Sequence, residues 1–335
     1  MRSLQITGPG KFEIVEMDPP ACGAGEVLIE IKACTICNQH DAAVLAGRPH
    51  GGRQPYPLEA GYPGHEGAGV VVAIGEGAGD LSVGDRVVTT GIGGPPLYSE
   101  YVTRRADAAV RFPAGIDFVR AAPLELFGCV HRAFTLTRPV AGLRVGVAGL
   151  GPAGQAMVAL ARALGATEVV GFDLDPARRQ LAGRMGATAV VDAAPLAGAH
   201  QAAKARLRGE DAVSAEQRGT LAAVEENACE IVFDCTGSAR GLETSFLLAK
   251  ADLTVFGFVA EPVEALPALW FQRELTIRNS KILRISDLRA VTEMLADGRI
   301  DTAPVVTEVM GFGEYAAAVA KVQRREAVKI ALTWE

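Results

Sequence analysis

The feature that most restricts the fold of this chain is an apolar run that leads into a glycine-rich turn. Residues 143–148 (LRVGVA) suit a strand buried on both faces, and the turn 149–154 (GLGPAG) follows directly. Residues 155–164 then carry strong helix formers. Glycines at the first, third and sixth positions of such a strand–turn–helix unit are typical of a site for the pyrophosphate of a dinucleotide. We therefore predict a nucleotide cofactor bound at a helix N-terminus.

The glycines and a nearby acidic residue have separate roles in this prediction. Gly149 permits the tight turn, Gly151 lets backbone amides approach the pyrophosphate, and Gly154 lets the helix pack against the strand. Asp173 ends the next strand-like run, 19 residues after Gly154. Its carboxylate would accept hydrogen bonds from the adenosine ribose and repel a 2′-phosphate, which favours NAD over NADP. The alternative is a glycine-rich turn beside a solvent-facing aspartate.

Strand-like and helix-like segments alternate over the middle of the chain. From about residue 121 to about residue 280, short apolar runs alternate with Ala-rich helical stretches, which predicts a parallel, doubly wound sheet. One of its strands is predicted over residues 253–258. Residues 1–110 instead contain short β-branched runs bounded by Gly, Pro or Asp. Residues 281–335 mix helical segments with a closing strand predicted over residues 329–333. The length of 335 residues is consistent with two domains of about 150 residues each.

Composition and charge exclude several classes of protein. Hydrophobic residues make up 49% and charged residues 21% of the chain, as in an ordinary globular protein. The net charge of −6 argues against a general nucleic-acid-binding surface. The N-terminus lacks the apolar segment of a signal peptide, and no apolar run reaches the ~20 residues of a membrane span. Six cysteines are too few for a disulfide scaffold, so we expect a cytoplasmic protein with reduced thiols and no membrane partner.

A second group of residues has the composition of a metal site. His65 and Glu66 are adjacent in a glycine-rich stretch, and Cys37 lies 28 residues before His65. Cys34 and Cys37 form a C-x-x-C pair that could be a redox pair or half of a zinc knuckle, although the lack of a second C-x-x-C argues against a knuckle. Glu125, a carboxylate in an apolar segment, needs a partner if it is buried. Three protein ligands with one open position describe a catalytic zinc site.

These motifs together resemble those of a known family. Residues 64–75 (GHEGAGVVVAIG) match the zinc signature of the zinc-dependent medium-chain alcohol and polyol dehydrogenases, and the glycine turn and Asp173 fall where that family has them. Residues 230–237 resemble its cofactor-side strand, and residues 328–332 resemble its closing segment. The resemblance covers essentially the whole chain.

The resemblance implies an α/β fold with two domains. A GroES-like, β-rich catalytic domain would comprise residues 1–125 and be completed by residues 281–335. A Rossmann domain with a doubly wound parallel sheet, which binds NAD, would comprise residues 126–280.

The resemblance also assigns roles to the candidate metal ligands. Carried over by position, Cys37 and His65 are zinc ligands, and Glu66 is a neighbouring carboxylate that the family uses directly or intermittently. Glu125 occupies the position of the third ligand, where related enzymes have Cys or an acid. Whether Glu66 or Glu125 completes the resting site stays open.

Several further positions are placed at the cofactor by the resemblance. Arg178 corresponds to a basic residue near the adenosine ribose, and Lys329 corresponds to a cation near the pyrophosphate. The other predicted cofactor-binding residues adjoin these motifs or the cofactor itself: Pro152, Leu174, Cys235, Thr236, Gly257 and Phe258.

The segment after Cys37 departs from the family pattern. The family usually has Ser or Thr two residues after the cysteine, followed by an Asp that orients the ligand histidine; this chain has Asn-Gln39-His40-Asp41, one residue longer. Gln39 relays a proton poorly, whereas an imidazole can do so near neutral pH. We therefore assign the proton relay to His40 and the orienting role to Asp41, and expect His40→Ala to shift the pH–rate profile. The alternative is that His40 is a surface loop residue.

A second departure concerns a structural metal. Many relatives carry a lobe of four cysteines that binds a structural zinc, but the corresponding residues 90–102 contain no cysteine. We therefore expect one zinc per chain.

The implied reaction is reversible oxidation of an alcohol, with transfer of a hydride to NAD. By resemblance to the family, a site with one sulfur ligand and a carboxylate implies polyol, sugar, cyclitol or other secondary alcohols as substrates. The family usually forms dimers or tetramers. One alternative is a zinc-free quinone or enoyl reductase of the same superfamily. Another is a non-catalytic nucleotide-binding protein that uses the same fold.

Overall fold

The computed structural model describes residues 1–48, 52, 55–209 and 213–334. The chain divides into two compact units, one formed by Met1–Gly128 with Arg284–Glu335 and the other by Cys129–Leu283. The domain limits expected at residues 125 and 281 each fall three residues before the limits of these units.

Strands predominate up to residue 111 of the described chain, and strands and helices alternate over most of the rest. In chain order the strands are β1 (Arg2–Gly8), β2 (Lys11–Glu16), β3 (Glu26–Thr35), β4 (Glu66–Ile74), β5 (Arg86–Thr90), β6 (Tyr101–Arg105), β7 (Ala109–Arg111), β8 (Arg144–Ala148), β9 (Glu168–Asp173), β10 (Ala189–Asp192), β11 (Cys229–Asp234), β12 (Ala249–Val255), β13 (Thr276–Asn279), β14 (Val306–Gly311) and β15 (Lys329–Thr333). The helices are α1 (His40–Leu45), α2 (Phe118–Ala121), α3 (Leu124–Leu136), α4 (Pro152–Ala163), α5 (Pro176–Arg184), α6 (Ala199–Arg206), α7 (Ala215–Asn227), α8 (Ala239–Leu248), α9 (Pro267–Phe271), α10 (Ile285–Ala296) and α11 (Tyr315–Gln323).

The first unit is organised around a mostly antiparallel sheet. Its strand order is β14-β15-β3-β4-β5-β7, with β6 paired to β3, while β1 and β2 form a separate hairpin. The C-terminal strand β15 inserts between β14 and β3, so the end of the chain completes the sheet begun by the N-terminal strands. Side chains of α11 and β15 pack into one apolar core with those of β1, β3 and β5, including Leu4, Ile29, Val87, Val319 and Ile330.

The second unit has the predicted doubly wound arrangement. Its six strands are all parallel, in the order β10-β9-β8-β11-β12-β13. The central strands β8 and β11 are apolar and almost fully buried, as expected where helices cover both faces of a parallel sheet. The prediction of an α/β protein with a β-rich unit and a Rossmann-type unit is confirmed.

One predicted strand ends earlier than expected. The apolar run over residues 253–258 belongs to β12, which stops at Val255, because the backbone N–H groups of Phe256 and Gly257 both turn to the carbonyl of Asp234. Gly257 and Phe258 therefore lie in the loop after the strand. Among the described helices, none combines the length and apolar character needed to cross a membrane.

Candidate functional site

The antiparallel pairing of β3 and β4 brings together three of the predicted metal ligands. Cys37 follows the end of β3, His65 directly precedes β4, and Glu66 is the first residue of β4. Because Cys34 of β3 pairs with Gly67 of β4, these two strand ends are adjacent. One ligand atom from each of Cys37, His65 and Glu66 lies within 4.8 Å of the other two. Among the residues that the structure describes, this is the group of His, Cys, Asp or Glu side chains with the spacing of a metal site.

The ring of His65 is held by a backbone group. Its Nδ1 lies 2.8 Å from the carbonyl oxygen of Pro63, which accepts a hydrogen bond when that nitrogen is protonated and leaves Nε2 as the ligand atom. Burial lowers the pKa of His65, but the hydrogen bond and charge of Cys37, with the charges of Glu125 and Glu66, outweigh burial and raise this pKa well above its usual range. The site therefore attracts positive charge.

Glu66 is a buried carboxylate with a buried cation beside it. The ammonium group of Lys329 lies 2.7 Å from Oε2 and 3.0 Å from Oε1 of Glu66, and it also donates to the carbonyl of Ile36 at 3.0 Å. The Thr35 hydroxyl donates to the same carboxylate. Burial lowers the pKa of Lys329, but the charges of Glu66 and Cys37 raise it overall. The structure thus places Lys329 at the metal-type cluster, and its predicted contact with a pyrophosphate stays a prediction.

Glu125 lies near this cluster without being one of its three closest donors. It is in the first turn of α3 and only 6% exposed, and its charge raises the pKa of both His65 and Lys329. The structure brings together Cys37, His65 and Glu66, with Glu125 as a neighbouring buried acid.

Asp41 does not have the role expected from the sequence. The predicted contact with the ligand histidine is made by the carbonyl of Pro63, and the Asp41 carboxylate instead accepts the backbone N–H of Cys37 at 3.0 Å. Asp41 is the second residue of α1, and its carboxylate points back to the backbone of Cys37. Burial raises the pKa of Asp41 to about 6, against the lowering effects of His65 and two tyrosine hydroxyls.

The two predicted relay residues lie at the start of α1. Gln39 is exposed and precedes the helix, and His40 is its first residue and half-buried. The ring of His40 lies edge-on to that of His65, with their centroids 5.5 Å apart, and at the same distance from the ring of Tyr62. His40 is therefore a close neighbour of a candidate ligand.

The glycine turn has the backbone geometry that the sequence predicts. Gly149 has a φ of +84°, which favours glycine. A Cβ on Gly154 would lie 1.9 Å from the carbonyl oxygen of Gly149, so only glycine allows α4 to approach β8 this closely. Gly151 caps α4 and Pro152 is its first residue, which leaves the N-terminal N–H groups of the helix pointing out of the turn.

Asp173 helps to hold this turn in place. Its Oδ2 accepts the backbone N–H of Leu150 at 2.7 Å, and its Oδ1 accepts that of Asp175 at 2.9 Å. Each carboxylate oxygen retains a second lone pair that can accept a hydroxyl. Leu174 is exposed, and the guanidinium of Arg178 lies 3.9 Å from Asp175.

The turn after β11 lies against the glycine turn. The Cα of Thr236 would lie 2.7 Å from a Cβ on Gly149, and the N–H of Cys235 donates to the carbonyl of Ala148. Asp234 accepts the hydroxyls of Ser245, at 2.7 Å, and Thr236, at 3.1 Å. Burial raises the pKa of Asp234 to about 6, although these hydrogen bonds lower it.

Several residues of the site were not predicted from the sequence. Thr35, Tyr98, Tyr315 and Ser245 all donate hydrogen bonds to buried carboxyl groups, which are those of Glu66, Asp41 and Asp234. A buried acid predicts that some donor is present, but no local pattern identified these four partners.

Comparison with known families agrees with this geometry. Residues 152–297 match the family model described as zinc-binding dehydrogenase, and residues 23–114 match the alcohol dehydrogenase GroES-like domain. The chain belongs to the zinc-dependent medium-chain dehydrogenase family. In this dehydrogenase, Cys37, His65 and Glu66 lie within the GroES-like match, and the match to the zinc-binding dehydrogenase model begins at Pro152, inside the glycine turn.

Individual relatives of this dehydrogenase are distant in sequence. It is 31% identical to an alcohol dehydrogenase of Geobacillus stearothermophilus over 208 residues, 54% of this chain and 60% of the relative, which is less than two thirds of that protein. It is 24% identical to a sorbitol dehydrogenase of Halalkalibacterium halodurans over 366 residues, 99% of each chain.

A solved structure shares the fold of this dehydrogenase. A short chain alcohol dehydrogenase from Escherichia coli CFT073, complexed with NADH, superimposes with a TM-score of 0.79 at 23% identity and covers 100% of this chain and 99% of its own. Together these relatives support an oxidoreductase that acts on alcohols. The family match and the Cys37, His65 and Glu66 cluster support zinc and a nicotinamide cofactor.

Proposed function

We propose that this protein is an NAD-dependent zinc alcohol dehydrogenase whose substrate is a polyol, sugar, cyclitol or other secondary alcohol. The observation that carries the proposal is the meeting of a thiol, an imidazole and a carboxylate within 4.8 Å, in a chain whose second unit holds the glycine turn of a dinucleotide site.

The donor set fits zinc. A soft sulfur, an imidazole nitrogen and a carboxylate oxygen suit a borderline-soft ion, and three protein ligands leave a position for substrate. Zinc, when bound, supplies Lewis-acid polarisation of the alcohol oxygen. Pro63 orients His65 toward this role, and Lys329 balances the charge of Glu66 while the Cys37 thiol must lose its proton to bind.

The third ligand is Glu66 or Glu125. Glu66 is the closer donor, but Lys329 and Thr35 already engage both of its oxygens. We propose Glu66 as the ligand in this arrangement and Glu125 as the acid that replaces it when Lys329 retains Glu66. Zinc content of Glu66→Gln and Glu125→Gln distinguishes the two, because loss of the true ligand weakens retention far more.

The cofactor site favours NAD. A bound nicotinamide nucleotide supplies the hydride acceptor. The glycine turn offers backbone N–H groups to a pyrophosphate, and the Asp173 carboxylate would repel a 2′-phosphate. The further residues that we propose to contact the cofactor are those assigned by the family resemblance: Arg178, Thr236, Gly257, Phe258, Pro152, Leu174, Cys235 and Lys329.

A proton must leave the substrate hydroxyl as it is oxidised. We assign its relay to His40, which lies 5.5 Å from His65 between ring centroids, with Gln39 as a neighbouring polar group at the substrate. The carboxylate in place of a second sulfur ligand, together with the full-length match to a sorbitol dehydrogenase, supports polyol-type substrates.

The test is a screen of the purified chain with NAD and NADP over polyols, sugars, aminocyclitols and secondary alcohols. We expect NADH production, preference for NAD, and one zinc per chain by metal analysis. Cys37→Ser should abolish both zinc retention and activity. Cys34→Ser is the matched control, because Cys34 lies three residues away but donates to the Leu97 carbonyl and should leave zinc in place.

Other outcomes point to the alternatives. Zinc-free protein that reduces quinones or enones indicates the zinc-free reductase of the superfamily. Binding of both zinc and NAD without turnover of any alcohol indicates a non-catalytic nucleotide-binding protein. Two zinc ions per chain contradict the single-metal proposal.

A further inference from the structure

We infer that Tyr98 and Tyr315 are positioning residues that hold the Cys37 segment in its metal-binding conformation, and that they act through Asp41. The inference rests on the proposed function in one respect, since it requires that Cys37 binds a metal. It concerns the hydroxyl groups of the two tyrosines, which neither touch the metal-type cluster nor belong to the predicted site.

The Asp41 carboxylate is completely buried and accepts three hydrogen bonds. Its Oδ1 accepts the hydroxyl of Tyr98 at 2.7 Å and that of Tyr315 at 3.0 Å. Its Oδ2 accepts the backbone N–H of Cys37 at 3.0 Å, and the backbone N–H of Asp41 donates back to the carbonyl of Cys37 at 3.0 Å. The loop that carries the thiol is therefore closed by two hydrogen bonds, one of which depends on the orientation of this carboxylate.

The two tyrosine rings are themselves fixed by packing. Their centroids lie 5.7 Å apart, edge to face, and the ring of Phe312 lies 5.4 Å from that of Tyr98 in the same way. Both tyrosines are fully buried. Rings packed on several sides cannot swing away, so the hydroxyls present the carboxylate with a rigid pair of donors.

Tyr98 is also linked to Glu66 indirectly, through Thr35. Its hydroxyl lies 3.3 Å from the carbonyl oxygen of Thr35, and the Thr35 side chain donates to Glu66. Tyr315 comes from the C-terminal segment, 274 residues after Asp41 in the chain. The conformation of the Cys37 segment therefore depends on groups from distant parts of the first unit.

Removal of one hydroxyl leaves a buried carboxylate oxygen short of a donor, and the carboxylate can then rotate or draw in other partners. Its hold on the N–H of Cys37 weakens, and the thiol is no longer oriented in advance. Groups that orient metal ligands in this way typically change metal affinity by about 10–100-fold when removed.

The experiment compares zinc binding by the full chain and its Tyr98→Phe, Tyr315→Phe and double variants, by competition with a chelator of known affinity. We expect zinc affinity to fall by about 10-fold or more in each single variant. We expect the double variant to lose less than the product of the two, because both hydroxyls serve one oxygen. Cobalt(II) substitution gives a second readout, since a displaced thiolate changes the cobalt–thiolate charge-transfer band.

Phe312→Leu is the matched control. It loosens the packing on one side of Tyr98 but keeps both hydroxyls, so it should lower the free energy of unfolding while changing zinc affinity and the cobalt spectrum much less than the tyrosine variants do. If the tyrosine variants behave like Phe312→Leu, the two hydroxyls are merely structural and the inference is wrong.

The outcomes also separate this inference from the proposed function. Tyrosine-dependent zinc binding in a protein that oxidises no alcohol supports the inference and contradicts the proposed function. Normal alcohol oxidation, with a zinc affinity that does not depend on either hydroxyl, supports the proposed function and contradicts the inference. A wild-type chain that takes up no zinc contradicts both. If a single Phe variant fails to fold, Asp41→Asn tests the same link, because it removes the carboxylate while retaining its size.

Discussion

The glycine turn and the metal-type cluster are both candidate binding sites, but they are built in opposite ways. The turn uses six consecutive residues, and its geometry depends on backbone torsion and the absence of side chains. The cluster uses buried charged groups whose partners are hundreds of residues apart, such as Glu66 and Lys329, 263 residues away. The first is a local structure, whereas the second exists only when the whole unit is folded.

The difference predicts different sensitivities to mutation. A substitution in the glycine turn should cause a steric clash and weaken ligand binding. A substitution in the metal-type cluster should leave a buried charge unpaired and lower the stability of the first unit. The two tryptophans allow the units to be followed separately, because Trp334 belongs to the first unit and Trp270 to the second.

The largest effect is expected at Lys329. Lys329→Met leaves the buried Glu66 carboxylate without its cation, and breaking a buried ion pair in this way typically costs about 3–5 kcal/mol. The measurement is denaturant unfolding in a Trp270→Phe background, where Trp334 reports the first unit.

Lys321→Met is the control for this substitution. Lys321 also lies in the C-terminal segment and pairs with Glu308, but both side chains are partly exposed. Such pairs contribute about 0–1 kcal/mol. If both variants lose the same free energy of unfolding, burial does not strengthen the contribution of the Glu66–Lys329 pair to stability.

An intermediate effect is expected at Gly154. The Cβ of Gly154→Ala would lie 1.9 Å from the carbonyl of Gly149, so α4 must shift away from β8. Overpacking of this kind costs about 1–3 kcal/mol, and we expect NAD affinity to fall at least about 10-fold as the turn distorts. Unfolding followed through Trp270 in a Trp334→Phe background, together with NAD titration, measures both.

Gly183→Ala in α5 is the control for the glycine turn. A Cβ there meets no atom within 4 Å, so replacing a helical glycine by alanine should stabilise the second unit slightly. A Gly154→Ala variant with normal NAD affinity would remove the argument that the turn depends on close approach of helix and strand.

The smallest effect is the pH dependence at Asp234. Its pKa lies at about 6 in the folded chain, above the ordinary 3.8. The stabilising contribution of the protonated form is therefore complete below about pH 4 and is lost as the pH rises through 6. The amide of the Asp234→Asn variant does not titrate, so this variant serves as the reference.

Unfolding of the second unit, followed through Trp270, tests this sign. Relative to Asp234→Asn, the wild-type free energy of unfolding should fall by roughly 1 kcal/mol between about pH 5 and pH 7.5. Asp41 has a similarly raised pKa, but it lies in the first unit, whose unfolding Trp270 does not report. If the unfolding free energies of the wild type and of Asp234→Asn change with pH in parallel, Asp234 does not titrate in this range.

The sequence predicted the parts of the fold that depend on local pattern. The run over residues 143–148 became β8, and the closing strand predicted over 329–333 has those limits in β15. The doubly wound sheet followed from the alternation of buried strands and helices, because each such strand must be covered on both faces. The apolar pattern of these strands can be recognised without knowing which distant residues they contact.

The supporting groups of the candidate site could not be predicted in the same way. Cys37, His65 and Glu66 were identified by residue type and spacing, and the structure brings them together. Their partners were missed or misplaced because the contact of Asp41 with Tyr315, and that of Glu66 with Lys329, depends on tertiary packing. Asp41 was expected to orient His65, but its carboxylate accepts the backbone N–H of Cys37 instead.

The insertion of β15 between β14 and β3 has a consequence for synthesis of the chain. A chain emerging from the ribosome folds from its N-terminus, and residues 129–283 can form their sheet as soon as they have been made. The first unit cannot be completed as early, since the Cys34–Thr35 end of β3 pairs with β15, which ends at residue 333. Tyr315 and Lys329 arrive in the same late stretch, so a nascent chain has a cofactor turn well before it has a complete metal centre.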